Sequence, residues 1–92
     1  MTPRRSQLER HLDVLKVVAQ HGPIRQTHVM YKANLSWYEL KRVLQTLGSL
    51  GLVVPLVDRD GVHYSISSLG RDLLTHMAQI ETILFPVAQQ HL

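Results

Sequence analysis

The sequence contains no cysteine among its 92 residues. This absence excludes disulfide bonds, a thiolate nucleophile and any zinc site with cysteine ligands. Long apolar runs are also missing, because no stretch approaches the about 20 consecutive apolar residues of a membrane-spanning helix. We therefore expect a cytoplasmic protein, and a chain of this length forms one domain with one core.

Motifs for metal binding and catalysis are equally scarce. The sequence has six histidines, but none shows the H-x-x-x-H or HExxH spacing of a helical metal site. No glycine-rich phosphate loop stands out. We therefore expect no enzymatic activity, no cofactor, no catalytic residue and no metal ligand.

Acidic residues are few and unevenly placed. The chain has seven Asp and Glu against ten Lys and Arg, for a net charge of +3. Residues 1–67 hold nine of the cations and five of the acids, whereas residues 68–92 carry a net charge of −1. If the protein binds a polyanion, we expect the first two thirds of the chain to make the contact.

Three helices are predicted in the first half of the chain. The first runs from Ser6 to about His21, opens with an S-x-x-E capping box and ends at Gly22, which we expect to occupy the C′ position. A second begins near Thr27 and ends at Asn34. A third has Ser36 as its N-cap and Glu39 at N3, Leu35 and Leu40 as a hydrophobic staple, and Gly51 as its terminator.

A β-hairpin and a last helix follow. The segments "LVVPLV" and "VHYSIS" read as strands joined by the turn "DRDG", and Pro55 restricts the first strand to an edge of the sheet. Ser67 caps a fourth helix, which should end or kink near Leu84 because of Pro86. Ile24 can add a brief strand.

This order of elements predicts a mainly helical fold with a small β-hairpin. A helix-turn-helix followed directly by a hairpin is a winged helix. We expect one domain over residues 1–92, with the winged helix at 6–67, a C-terminal helix at 68–85 and a short tail at 86–92.

The fourth helix carries an apolar seam at alternating spacings of four and three residues. A seam of this kind is typical of a coiled coil, and further apolar residues flank it. We therefore predict a dimer interface, while a stripe that packs on the monomer's own core remains the alternative. The predicted interface residues are Leu73, Met77, Ile80, Leu84 and Val87.

The third helix has a basic face opposite its core side. At ~100° per residue, its polar and cationic side chains fill the arc that faces away from Leu40 and Leu44. Such a face suits the major groove of DNA, where cations meet phosphates and Arg or Gln reaches base edges. Any surface helix also exposes Lys, Arg and Gln, so the helix-turn-helix context favours this interpretation. The candidate DNA-binding residues are Lys32, Ser36, Tyr38, Lys41, Arg42, Gln45 and Arg59.

Some of these candidates compete with other roles. Arg59 lies at the wing tip, where a minor groove is within reach, but Asp58 and Asp60 beside it repel phosphate. Arg4 and Arg5 form a short basic arm that could follow the DNA backbone. Trp37 is expected to pack against the second helix rather than on a base.

The chain also resembles a known family. Its segment "THVMYKANLSWYELKRVLQTLGSLGLV" is similar to the T-x-x-M-Y-K-A-N-L-S run of the archaeal winged-helix family of ten-kilodalton chromatin-associated DNA-binding proteins and related regulators. The later "YSISSLGRDLL" is similar to that family's entry to the last helix, with Ser67 in place of Thr. The resemblance implies a homodimer joined by an antiparallel coiled coil, although Pro86 leaves less room for a long one.

We therefore expect a homodimer that binds double-stranded DNA, as a transcription regulator or a chromatin-associated protein of the nucleoid. The alternative is a winged helix that binds a protein partner without contacting DNA. No small-molecule substrate and no membrane partner is evident.

Overall fold

The computed structural model describes residues 5–86. Its elements confirm the predicted mainly helical winged-helix fold, and the brief strand predicted at Ile24 completes a small sheet. Val87 of the predicted seam, Arg4 of the predicted arm and residues 87–92 of the predicted tail lie outside the described residues. In chain order the elements are α1 (Gln7–His21), β1 (Ile24–Arg25), α2 (Gln26–Ala33), α3 (Trp37–Ser49), β2 (Val53–Asp58), β3 (Gly61–Ile66) and α4 (Ser68–Leu84).

The helix starts follow the capping signals in the sequence. The hydroxyl of Ser36 accepts the backbone N–H of Glu39 at 3.1 Å, and the Glu39 carboxylate accepts the backbone N–H of Ser36 at 3.0 Å. Ser6 and Glu9 form the same reciprocal pair at the start of α1. These boxes satisfy N–H groups that have no partner inside the helix, so both predicted N-caps are confirmed.

The helix ends agree with the sequence at all but one position. Asn34 ends α2 in the left-handed region with φ of 55°. At the end of α3, Gly51 has φ of +74°, and the N–H of Leu52 donates to the carbonyl of Leu47 at 2.9 Å, as in a Schellman motif. α4 ends at Leu84, two residues before Pro86, as predicted.

Gly22 ends α1 differently from the prediction. It is the C-cap rather than C′, and its backbone is extended, with φ of −69° and ψ of 153°. The chain must extend here because β1 pairs with β3 immediately afterwards, with Ile24 opposite Tyr64. A Cβ at Gly22 would lie 2.6 Å from the carbonyl oxygen of Val18, so close approach explains the glycine.

The three strands form an antiparallel sheet in the order β1-β3-β2. β2 is therefore an edge strand, which confirms the position predicted for Pro55. Asp58 pairs with Gly61 across the turn, and its carboxylate accepts the backbone N–H of Asp60 at 2.8 Å. The hairpin thus projects from the helices as the wing.

The core lies between α1, α2, α3 and the base of the sheet. Within it α1 supplies Val14, Leu15 and Val18, and α3 supplies four apolar residues. α4 contributes through Leu73 and Leu74, which pack against this core while remaining partly exposed. Among the described residues, no helix is both long and apolar enough to span a membrane.

Candidate nucleic-acid interface

Helix α3 has one buried and one exposed side. Its apolar residues Leu40, Val43, Leu44 and Leu47 are buried, and they hold the helix against the core. The opposite side is exposed, as the helical spacing predicts. Its exposed side chains are Tyr38, Lys41, Arg42, Gln45 and Ser49.

Tyr38 and Arg42 lie one helical turn apart on this exposed side. The Arg42 guanidinium carbon is 5.8 Å from the centroid of the Tyr38 ring, within the range of a cation–π contact. Tyr38 itself is 69% exposed. The ring therefore restricts the guanidinium to the outer face of α3 without removing it from solvent.

Glu39 is the one acidic residue of α3, and its carboxylate is engaged by the helix cap and by Arg10. The hydrogen bonds it accepts from the Ser36 backbone and side chain, followed by the charge of Arg10, hold its pKa below the ordinary value. Arg10 Nε lies 3.4 Å from Glu39 Oε2. Because this carboxylate is paired and points to the helix start, the cations of Lys41 and Arg42 dominate the exposed face.

Ser36 belongs to the helix cap. Its hydroxyl oxygen accepts the Glu39 N–H, which accounts for the residue in structural terms. Trp37, the next residue, is 45% exposed, so part of the ring is covered and the rest meets solvent.

A groove separates the exposed side of α3 from the sheet. The side-chain amide of Gln26 donates to the Tyr64 hydroxyl at 3.1 Å, joining α2 to β3 within this groove. Sequence reasoning missed both residues as parts of the site, because they are 38 positions apart and no local pattern joins them. The groove is lined by Gln26, Tyr38, Lys41, Arg42, Leu44, Gln45, Gly48, Ser49, Pro55 and Tyr64.

Arg59 lies at the tip of the wing. Among the described residues it takes part in no salt bridge, while both neighbouring acids have cationic or titratable partners. Asp60 lies 3.9 Å from Arg25, and Asp58 lies 3.6 Å from His63. Arg25 therefore partly offsets the repulsion of phosphate expected from Asp60, and Arg59 is an exposed cation of the tip.

Lys32 lies apart from the α3 groove. It lines a concavity with His21, His28 and His63, and another with Lys16, and neither contains a residue of α3. Within residues 5–86, no three histidine, aspartate or glutamate side chains are placed to hold a metal ion. The structure thus brings together four of the seven predicted contact residues, namely Tyr38, Lys41, Arg42 and Gln45.

The prediction that Arg5 belongs to a free basic arm is wrong. Its guanidinium donates to Asp13 at 2.9 Å and to the backbone carbonyls of Ala33 and Asn34 at 2.7 and 2.6 Å. The last carbonyls of a helix lack partners inside the helix, so a cation is favoured there. Arg5 therefore joins the start of the chain to the end of α2.

The apolar seam of α4 is covered only at its beginning. Leu73 packs against the core of its own chain, whereas Ile80 and Leu84 are 45% and 63% exposed. Ile83 and Phe85 beside them are 75% and 60% exposed. In the described part of the chain, the second half of α4 thus presents exposed apolar side chains.

Comparison with known proteins agrees with this architecture. A family model described as winged helix-turn-helix matches residues 4–84. The chain belongs to the winged helix-turn-helix family. A search of curated proteins finds no match to the sequence.

Solved structures share the fold of this winged helix-turn-helix protein. Sso10a-2, a DNA-binding protein from Sulfolobus solfataricus, is 23% identical with a TM-score of 0.74, and the match covers 94% of this chain and 88% of that one. A Listeria innocua protein of unknown function is 20% identical with a TM-score of 0.73, covering 84% and 58%. FabT from Streptococcus pneumoniae, solved in complex with DNA, is 11% identical with a TM-score of 0.72, covering 92% and 61%. The chain thus spans less than two thirds of the Listeria protein and of FabT.

Proposed function

We propose that this winged helix-turn-helix protein binds double-stranded DNA as a homodimer, with α3 in the major groove. The observation that carries the proposal is the exposed side of α3, where within residues 5–86 Lys41 and Arg42 form no salt bridge and Glu39 is bound within the helix cap. A helix in the major groove needs this combination of cations and hydrogen-bonding groups. The role is binding, without catalysis.

The exposed side chains of α3 make different kinds of contact with DNA. Lys41 and Arg42 neutralise phosphates or reach guanine, and Gln45 has the amide geometry that pairs with adenine. Tyr38 donates its hydroxyl to phosphate and orients Arg42 through the ring contact. Ser36 contributes at the helix start, where it caps α3 and so fixes the position of the side chains that face DNA.

Two cations outside α3 extend the contact surface. Arg59 at the wing tip meets an adjacent minor groove, since the cation of Arg25 partly offsets its acidic neighbour Asp60. Lys32 on α2 meets the phosphate backbone at the edge of the footprint. These contacts supply affinity rather than sequence preference.

The dimer is supported by the uncovered half of α4. Ile80, Ile83, Leu84 and Phe85 are each at least 45% exposed, and burial of apolar surface of this kind drives association. An antiparallel pairing of two α4 helices centred between Met77 and Ile80 sets Leu73 opposite Leu84. Two-fold symmetry then predicts DNA half-sites separated by one or more helical turns.

The similarity to solved DNA-binding proteins supports the same proposal. Sso10a-2 is described as a DNA-binding protein and FabT was solved with DNA. The sequence resemblance to archaeal chromatin-associated proteins also supports DNA binding. The role that we propose is that of a transcription regulator or a chromatin-associated protein in the nucleoid.

A salt series with labelled duplex DNA tests the proposal. We expect the logarithm of the association constant to fall linearly with the logarithm of salt concentration, with a slope of about −0.9 for each phosphate neutralised. Random-sequence selection then separates a regulator, which enriches a motif, from a packaging protein, which does not. Absence of duplex binding at low salt would contradict the proposal and favour a protein-binding winged helix.

A further inference from the structure

A second cationic concavity lies away from α3, where the end of α1 meets β1, α2 and β3. It is small, at ≈ 270 Å³, below the roughly 300 Å³ at which pockets for drug-sized ligands begin. None of its lining residues is acidic and only two are apolar. They are His21, Pro23, Ile24, Arg25, His28, Lys32 and His63.

The lining of this cavity is cationic, while Asp58 and Asp60 of the wing lie within 4 Å of two lining residues. Arg25 and Lys32 carry fixed charges, and histidine side chains gain charge as the pH falls from about 8 to about 5. Helix α2 begins beside the cavity with no side-chain cap on its first N–H groups and no acid in its first turn. The positive end of the helix dipole therefore adds to the side-chain charges.

The nearest carboxylates do not saturate these cations. Asp60 Oδ2 lies 3.9 Å from Arg25 Nη2, and Asp58 Oδ2 lies 3.6 Å from His63 Nδ1. Both distances exceed the about 2.7–2.9 Å of a charge-assisted hydrogen bond. In the described part of the chain, His63 Nδ1 is moreover the one buried side-chain nitrogen or oxygen without a hydrogen-bond partner.

We propose that this cavity is a binding site for an oxyanion of the phosphate class. An oxyanion accepts hydrogen bonds from Arg25, Lys32 and protonated histidine at closer range than the wing carboxylates reach. The concavity is open to solvent and has room for one tetrahedral anion with water. The group is supplied either by a small phosphorylated molecule or by the backbone of a nucleic acid.

Titration of the whole protein with sulfate tests the site. Sulfate keeps its charge between about pH 6 and about pH 8, and replacing chloride with sulfate at constant ionic strength keeps general screening unchanged. We expect the backbone amide NMR signals of Thr27 and His28 to shift and saturate, with tighter binding near pH 6 than near pH 8.

A matched pair of variants identifies the residues. His28→Gln with Lys32→Gln should weaken sulfate binding by roughly tenfold or more, since it removes the Lys32 charge and the imidazole of His28. Lys16→Gln with His76→Gln changes the same residue types outside the cavity and should leave the titration unchanged. Shifts that do not saturate, or that occur equally in both variants, would overturn the proposal.

The source of the oxyanion is decided with duplex DNA. If duplex displaces sulfate from Thr27 and His28, and His28→Gln alone, which keeps the Lys32 contact proposed above, binds duplex more weakly, the cavity takes a backbone phosphate. If duplex leaves the sulfate signals in place, it takes a free phosphorylated ligand. Because Lys41→Ala with Arg42→Ala should keep the sulfate titration intact, failure of DNA binding and failure of this site are separable.

Discussion

The carboxylate of Glu39 accepts the backbone N–H of Ser36 at 3.0 Å and also faces Arg10, 3.4 Å away. This arrangement uses the one acid of α3 to start the helix and ties that start to α1. It also removes an anion from the surface that is proposed to meet DNA. Helix formation and the charge of the exposed face therefore depend on the same residue.

Glu39 makes the stability of the fold pH-dependent. Its pKa is held below its ordinary value of 4.5, chiefly by the hydrogen bonds from Ser36 and then by Arg10. A lowered pKa means that the stabilisation is complete above that ordinary value and is lost as the pH falls through the lower, folded-state value. Glu39→Gln keeps the capping geometry without a charge.

The test is a set of urea unfolding curves from about pH 7 to about pH 3. We expect the stability advantage of the natural chain over Glu39→Gln to be constant above pH 4.5 and to shrink below it. An advantage that persists unchanged at the lowest pH would show that the carboxylate charge contributes nothing.

Two glycines on helices should respond in opposite directions to alanine. A Cβ at Gly70 would lie 2.3 Å from the carbonyl oxygen of Leu52 and 2.9 Å from Ile66 Cδ1, so Gly70→Ala forces α4 away from the core. Gly48 in α3 has no neighbour within 4 Å of that position. At matched protein concentration, urea unfolding should show a loss of about 1–3 kcal/mol for Gly70→Ala. Gly48→Ala should gain about 0.5–1 kcal/mol, and equal effects of the two changes would contradict this packing.

The uncovered seam of α4 predicts a dimer that one charge can dissociate. Ile80 is 45% exposed in the single chain, so Ile80→Glu should leave the fold intact while placing a charge in the subunit interface. Thr82 lies on the opposite side of α4, and Thr82→Glu is the control. Sedimentation at micromolar concentration should find a dimer for the natural chain and Thr82→Glu, and a monomer for Ile80→Glu. A monomeric natural chain would rule out the seam as an interface.

The wing tip should contribute one phosphate contact. Arg59→Ala is expected to lower duplex affinity and to reduce the salt slope by about 0.9, because one fewer counterion is released. Arg71→Ala, an exposed change on α4, is the control and should alter neither quantity. If both variants retain the natural slope, the wing does not approach the backbone.

Local signals in the sequence predicted most of the fold. The capping residues Ser6, Ser36 and Ser67, the turn glycine Gly51 and the edge position of Pro55 each depend on neighbours within a few positions. Such short-range chemistry is readable without a structure. The exposed side of α3 was predicted for the same reason, because helical spacing alone separates it from the core.

Contacts between distant parts of the chain could not be predicted. Arg5 reaches carbonyls 28 and 29 positions away, and Gln26 meets Tyr64 across 38 positions. The pairing of Asp60 with Arg25 depends on β1 joining the sheet beside β3. No periodicity or motif in the sequence predicts these long-range contacts. They determine which cations are paired and which are free at the surface.

The salt dependence of duplex binding by a double variant of α3 tests the central claim most directly. Lys41→Ala with Arg42→Ala should bind duplex at least about tenfold more weakly, with a salt slope reduced by up to about 1.8. Lys16→Ala with Arg71→Ala removes the same two residue types outside α3 and should match the natural protein. If the α3 variant kept the natural affinity and slope at low salt, α3 would not be the DNA-binding helix.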